Sequence, residues 1–423
     1  MKRVIYRMYI VLVLLVIAVP VIAQDDRLQV VASHSILADV VSNVAGSAVD
    51  VTSTMPVGAD PHSFQPTPSD LTTLAEADLV FINGAGFEEG LLEAIENAAT
   101  DMTIVAVSDC VPMLSPSADM HDDHDHEGES HDDHDHEGES HDDHDHEDES
   151  HDDHDHEDES HDDHDHEDES HDDHDYEDEA HDDHDHEGEA HDDETAREHC
   201  DDYHQALHGA DDTHDVMYGF ACEGAAHDHD DHDDGDDAHD HDHGNCDPHV
   251  WMLPENVMVW TLAIRDALTE LDPSNADLYA ANADEYIATL SALSDDFIAP
   301  MIDTLAVDDR ILVTSHDTLS YLAAAYDFEI VGTIIPSAST VSDPSTREVA
   351  RLIDTITQAG VPAIFAETTV SDSLATTIAN ETGAELVTLY SGSLSPADEP
   401  ASTYVDYIRY NYDTIVTALG GGM

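Results

Sequence analysis

The stretch RILVTSHDTLSYLAAAY, residues 310–326, holds a short apolar run from Arg310 to Thr314, a polar turn carrying His316, and a segment of helical spacing from Thr318 to Tyr326. Strand, turn and helix in that order form half of a parallel βαβ unit, which places helices on the faces of a sheet. The rhythm continues downstream, with β-rich runs at 329–334, 363–366 and 385–389 alternating with helical segments at 344–359, 371–382 and 403–418. It also precedes the quoted stretch: runs at 28–33, 49–54, 79–83 and 103–107 alternate with helical segments at 36–44, 69–75 and 87–98. The expected fold is α/β, with two lobes that each hold a parallel sheet flanked by helices.

Between the halves, Asp272-Pro273-Ser274 stops one helix and starts another, which residues 275–305 can continue, with Pro300 near its end. The part before Pro300 would reach roughly 38 Å at 1.5 Å per residue, enough to cross a small domain. A single helix is a stiff connector, so small tilts are expected rather than wide hinge opening. The expected layout is a signal peptide at 1–23, an N-terminal lobe at 24–120 and 247–271, a disordered His-, Asp- and Glu-rich insertion at 121–246, a linking helix at 272–306 and a C-terminal lobe at 307–423.

The insertion interrupts the first lobe. From His121 to Ala190 one ten-residue unit occurs seven times, opening His-Asp-Asp-His-Asp-His-Glu in every copy but one, where Tyr176 replaces the third His. Twenty of the chain's 35 His lie in this tract, and imidazole with carboxylate is a donor set for Zn²⁺ and its neighbours. With almost no apolar content the tract has nothing to bury against the entropy of ordering, so disorder without metal is expected. It is neither a protease nor a calcium motif. His126-Glu127 is followed by His131, one residue too far for HExxH, and His241 stands where an EF-hand loop starting at Asp230 needs Glu.

Charge excludes other partners. Lys and Arg number 10 against 100 Asp and Glu, and 58 of the acids fall in 121–246 with one base, Arg197. Such a field draws cations and repels nucleic acid and anionic membranes. Lys2, Arg3 and Arg7, an apolar run from Met8 to Val19, and Val21-Ile22-Ala23 before Gln24 read as a secretory signal, with no Cys after it to carry lipid. Export makes disulfides the expected state of Cys110, Cys200, Cys222 and Cys246. Three pairings are open, among them Cys200 with Cys222 closing the loop after the repeats and Cys110 with Cys246 tying the insertion's two ends.

Three single His occupy similar places outside the tract. His62 lies in Gly58-Ala59-Asp60-Pro61-His62-Ser63-Phe64-Gln65-Pro66-Thr67-Pro68, and His249 in Asp247-Pro248-His249-Val250-Trp251-Met252. Both are Asp-Pro-His loops leading into a helix, while His316 follows a strand at its carboxyl end, where open α/β sheets place their ligands. Three rigidly placed imidazoles suit Zn²⁺ better than Mn²⁺, which takes more carboxylate. His34, in Ser33-His34-Ser35, also follows a strand and is a further cleft candidate.

On Gly58 to Asp70, Asp247 to Val257, Thr314 to Tyr326 and Phe365 to Tyr390, in that order, the chain resembles the zinc- and manganese-specific solute-binding proteins of bacterial ABC importers. The resemblance covers nearly all of 28–419 except the insertion. It implies two lobes joined by one helix, one metal ion between them, and delivery to a cognate permease outside the cytoplasmic membrane, in the periplasm or at the cell surface, by a monomer with no catalytic role. It also implies that His62, His249 and His316 are the first three metal ligands. The fourth position departs from the family: Ser391-Gly392-Ser393-Leu394 carries Gly392 where relatives often have a carboxylate. Water, a His of the insertion, or Glu367 would then complete the site, with Glu367 expected rather to hold a His ring.

Other readings of the residues are a manganese-specific protein of the same family, a secreted metal buffer in which the insertion is the main site, and a zinc hydrolase, for which no placed base is visible except Glu367. Adhesion leaves no residue signature. Within the transport reading, the repeats are expected to gather zinc weakly for the cleft or to sense its supply.

Overall fold

The computed structural model describes residues 27–88, 90, 91, 94, 103–114, 189–209, 216–223, 246–337 and 339–421, all within one compact unit. The signal segment expected at 1–23 and the repeats up to residue 188 lie outside the described residues, as does most of the helix expected at 87–98.

The first sheet is built from β1 (Leu28–Ala32), β2 (Val49–Ser53), β3 (Leu79–Ile82) and β4 (Thr103–Ala106), all parallel, in the order β2-β1-β3-β4. The second repeats that plan with β5 (Ile311–Thr314), β6 (Glu329–Thr333), β7 (Ala363–Glu367) and β8 (Glu385–Leu389), in the order β6-β5-β7-β8. β3 and β7 are buried along their whole length, which is why they read as unbroken apolar runs instead of alternating ones. Strand order reverses beside β1 in one sheet and beside β5 in the other, opening a crevice at the carboxyl ends of the strands.

The helices are α1 (Ser35–Ala45), α2 (Pro68–Ala75), α3 (Glu189–His208), α4 (Pro254–Leu271), α5 (Ala276–Leu293), α6 (Ser320–Tyr326), α7 (Thr346–Ala359), α8 (Ser373–Thr382) and α9 (Tyr404–Ala418). Local chemistry sets several of their ends. Thr67 with Asp70, and Ser345 with Glu348, form reciprocal capping boxes at the starts of α2 and α7. Leu253 caps α4 with no side-chain bond, and Pro254 at its first position has no N–H to leave unpaired there.

The linking helix is α5, and it packs on α4, α1 and α9. It does not stop before Pro300. A widened π turn at Ser294–Ile298 leads into a last helical turn, Ala299–Ile302. Pro lacks an N–H and its ring presses on the carbonyl four residues back, and the extra residue in the wide turn absorbs that conflict.

One expectation for the insertion is corrected, and one open question is answered. Its C-terminal part is not without structure, because α3 lies within it, and Cys200, Tyr203 and His204 are buried on the helix. The Tyr203 hydroxyl donates to Asp266 Oδ2 (2.8 Å), and His204 Nε2 lies 2.9 Å from the Cys110 carbonyl. The disulfides are Cys110–Cys200 and Cys222–Cys246, one of the three open pairings and not the one that joins Cys200 to Cys222 and Cys110 to Cys246. Spacings of three and four residues put Cys200, Tyr203 and His204 on one helical face, which meets Cys110 after β4. Residues 216–220 return along 109–113, with Met113 N donating to Met217 O (2.8 Å) and Gly219 N to Val111 O (3.2 Å), and so bring Cys222 to Cys246. A side chain at position 219 would meet the Ser108 carbonyl at 2.0 Å, so only glycine permits this approach.

Candidate metal centre

His62, His249 and His316 converge. Each offers a ring nitrogen, and the three atoms lie within 4.8 Å of one another, with all three residues buried. His62 Nε2 and His316 Nε2 each stand 3.3 Å from His249 Nε2.

Local sequence sets each ring. Asp60 accepts from His62 N (3.2 Å) and from Ser63 Oγ (2.9 Å), closing the Asp-Pro-His turn on itself. Asp247 plays the matching part in the second turn, its Oδ1 accepting from both His249 N (2.9 Å) and His249 Nδ1 (2.8 Å). Asn83, just beyond β3, donates to the Pro248 carbonyl (3.1 Å) and holds that turn against the first sheet. His316 stands two residues beyond β5, and its Nδ1 lies 2.6 Å from Oε1 of Glu367, the last residue of the neighbouring strand β7.

The carboxylates decide which nitrogen faces inward. A carboxylate accepts, so Nδ1 of His249 and of His316 donates, which leaves both Nε2 lone pairs pointing into the cluster. Burial, reinforced by His316 and His62 close by, drives the His249 pKa well below the ordinary imidazole value. For His316 burial works in the same direction, but the Glu367 charge and hydrogen bond outweigh it and raise the pKa. Glu367 responds in kind, lowered by His316 against the upward push of burial. Burial lifts Asp247 to about 6 in spite of its hydrogen bonds. Inward-facing lone pairs in a buried space repel one another, and a cation reverses the sign of that interaction.

Aromatic rings wall the site. Phe87 stands edge-on to His62 (centroids 5.3 Å apart) and to Trp251 (4.7 Å), and Trp251 lies 5.4 Å from His249. His34 does not join the cluster. It sits behind this wall between Phe87 (5.1 Å), Trp251 (5.4 Å) and Trp260 (6.3 Å), with Nδ1 on Ser33 Oγ (2.9 Å). Burial alone lowers its pKa to about 3, so it is a neutral ring packed in an aromatic layer.

Glu367 meets His316 through its Nδ1, away from the converging Nε2 atoms. Gly392 brings no donor, and a Cβ there would meet Pro61 at 2.8 Å, so the glycine lets the loop after β8 press on the turn that carries His62. Sequence reading missed Asp247 as the partner of His249, although Asp-Pro-His was in view, and it missed Phe87. The signal for Phe87 was Gly84-Ala85-Gly86, three residues of positive φ that swing the ring inward.

Two α/β lobes joined by a helix, with buried imidazoles gathered where the strands' carboxyl ends face each other, define a solute-binding protein. The chain belongs to the family described as zinc-uptake complex component A, periplasmic (ZnuA), which matches residues 30–418. Its members are metal-binding components of ABC metal importers. The manganese-binding lipoprotein MntA of Halalkalibacterium halodurans is 24% identical over 427 residues, 99% of each chain. The iron-binding protein YfeA of Yersinia pestis is 36% identical over 178 residues, 42% of this chain and 56% of that protein. Among solved structures, the periplasmic zinc-binding protein TroA of Treponema pallidum shares the fold, with a TM-score of 0.59 at 20% identity over 93% of this chain and 99% of that one. A manganese-bound periplasmic metal-binding protein of Candidatus Liberibacter asiaticus does so too, with a TM-score of 0.59 at 23% identity over 93% of this chain and 100% of the other. No helix among the described residues is long and apolar enough to cross a membrane.

Proposed function

We propose that this protein captures Zn²⁺ outside the cytoplasmic membrane, holds it between the lobes through Nε2 of His62, His249 and His316, and passes it to a cognate ABC permease. The observation that carries the reading is the buried convergence of three imidazole nitrogens within 4.8 Å. Three nitrogen donors, joined by no carboxylate among the described residues, suit zinc, which takes four ligands in a tetrahedron, better than manganese, which favours oxygen. Asp247 and Glu367 fix the tautomers of His249 and His316, Glu367 also raises the basicity of His316, and solvent completes the coordination at the place Gly392 leaves without a side chain. Binding to a His316 that carries a second proton releases that proton, so capture is coupled to pH.

Metal analysis of the purified protein at limiting zinc, with Mn²⁺ in excess, tests this. One equivalent of zinc is expected for the wild type and none for His62→Ala. A manganese-loaded wild type overturns the assignment and favours the second reading, manganese delivery, which the manganese-binding relatives support. The repeats at 121–190 are proposed to gather zinc weakly for the cleft. Deleting residues 121–188, which spares α3 and both disulfides, should then leave one tight equivalent and slow uptake from zinc-poor medium.

A further inference from the structure

The insertion leaves and rejoins the fold beside the metal centre. Leu114 is the last described residue before it, Asp247 follows it, and Asp247 N donates to the Leu114 carbonyl (3.1 Å). Tyr321, in α6 of the other lobe, reaches this neck. Its hydroxyl donates to the Asp247 carbonyl (2.8 Å), accepts from Leu114 N (3.3 Å) and lies 3.3 Å from Met113 Sδ. The side chain is buried, at 4% exposure, so water does not compete for these bonds.

We propose that Tyr321 is a positioning residue for the metal centre, acting through Asp247 on His249 and binding the neck of the insertion to the lobe that carries His316. The inference rests on the reading of the three His as metal ligands. Asp247 is held at three points, by Leu114 at its N–H, by Tyr321 at its carbonyl and by His249 at its carboxylate. The first two fix the peptide, and the third transmits that fixed position to the imidazole. Tyr321 stands five residues after His316, so the hydroxyl crosses the same boundary that a metal shared by His249 and His316 would cross. Without the hydroxyl, Asp247 turns about its neighbours, and His249 must be ordered when the metal arrives.

The test titrates the full-length, disulfide-intact protein with Zn²⁺ alone and reads Co²⁺ absorption as a report on ligand geometry. Tyr321→Phe keeps the ring in place, and an unchanged unfolding midpoint without metal shows the fold to be intact. It is expected to bind zinc about tenfold more weakly, in the range found for groups that orient ligands, with altered Co²⁺ bands. Combined with Asp247→Asn its loss should be less than additive, since both act through one residue. Met113→Leu, which removes the sulfur contact and leaves the Asp247 bond, should bind as wild type. Wild-type affinity and spectrum in Tyr321→Phe, full additivity with Asp247→Asn, or an equal loss in Met113→Leu would overturn the proposal. Zinc binding that survives His249→Ala would instead strike the reading of the metal centre itself.

Discussion

The two sheets share one strand order, and each places a His two residues past its first strand, His34 after β1 and His316 after β5. The neighbouring strand is followed by Asn83 on one side and ends in Glu367 on the other. Asn83 turns to backbone carbonyls, of Gly84 and Pro248, and leaves His34 to the aromatic rings. Glu367 accepts a hydrogen bond from Nδ1–H of His316 and so aims its Nε2 at the other imidazoles. One ring is held neutral with its pKa at about 3, while the other is raised above the ordinary value. A strand end in an open sheet supplies the place, and the group on the next strand decides whether a His there becomes a donor or part of the packing.

The harshest way to break the comparison is to delete each ring. His316→Ala removes one of three converging nitrogens, and zinc affinity, read by competition with a chromophoric chelator, should fall on the order of a hundredfold or more. His34→Ala should leave that affinity near the wild-type value. It removes a ring buried among Phe87, Trp251 and Trp260, so the unfolding midpoint of the metal-free protein should drop, by roughly 2–4 kcal/mol on the scale of aromatic truncations in cores. Equal losses of zinc affinity in the two variants would show that the lobes contribute alike.

Removing only the charge from the strand end is gentler. Glu367→Gln keeps the shape but offers an amide that can donate as well as accept, so the His316 tautomer is no longer fixed. An affinity loss of about 10- to 100-fold is expected, together with a fall in the His316 pKa followed by NMR.

Much of this was legible in the chain. The parallel sheets follow from the strand and helix rhythm, and the three His stand out because two share the Asp-Pro-His turn. What escaped depends on contacts between distant segments. α3 has few apolar residues among its acids, and it is anchored by Cys110–Cys200 and by the bonds of Tyr203 and His204, none of which a local pattern reveals. The disulfide pairing depends on residues 216–220 folding back along 109–113, which spacing does not specify. His34 and His316 read alike because the neighbour that separates them lies on another strand, about 50 residues away. The linking helix is expected to run on past Pro300, but the widened turn that carries it through has no local signal beyond the proline itself.

Acid should divide the two rings again. His316 has a raised pKa, so its proton competes with metal at a higher pH than an unperturbed imidazole's would, and zinc affinity should weaken as pH falls from above 6.5, approaching tenfold per unit. His34 acts on the fold instead. Its folded pKa is depressed to about 3, so the unfolded chain takes up the proton first, and the metal-free protein should lose stability as pH drops from about 6.5 toward 3. In His34→Phe the acid-induced loss should be smaller while the pH dependence of zinc binding stays the same. Parallel zinc titrations and thermal melts over that range separate the two.

The smallest expected effect asks whether the second lobe acts on the metal only through His316 and Glu367. Gly392, in the loop after β8, lies against Pro61, and a Cβ there would stand 2.8 Å from both Pro61 Cδ and Cγ. Gly392→Ala must push back the ring adjoining His62, a shift of a few tenths of an ångström at a turn that Asp60 braces from within. Zinc affinity should fall a few-fold, because misplacing a ligand by a fraction of a bond length costs part of its interaction and not the whole. The effect should show mainly as faster zinc dissociation. Gly392→Asp should behave similarly, because the same contact of Cβ with the Pro61 ring displaces the turn before a new carboxylate can reach the three nitrogens. A gain in affinity from Gly392→Asp would mean that Pro61 yields freely and that the second lobe can supply another donor.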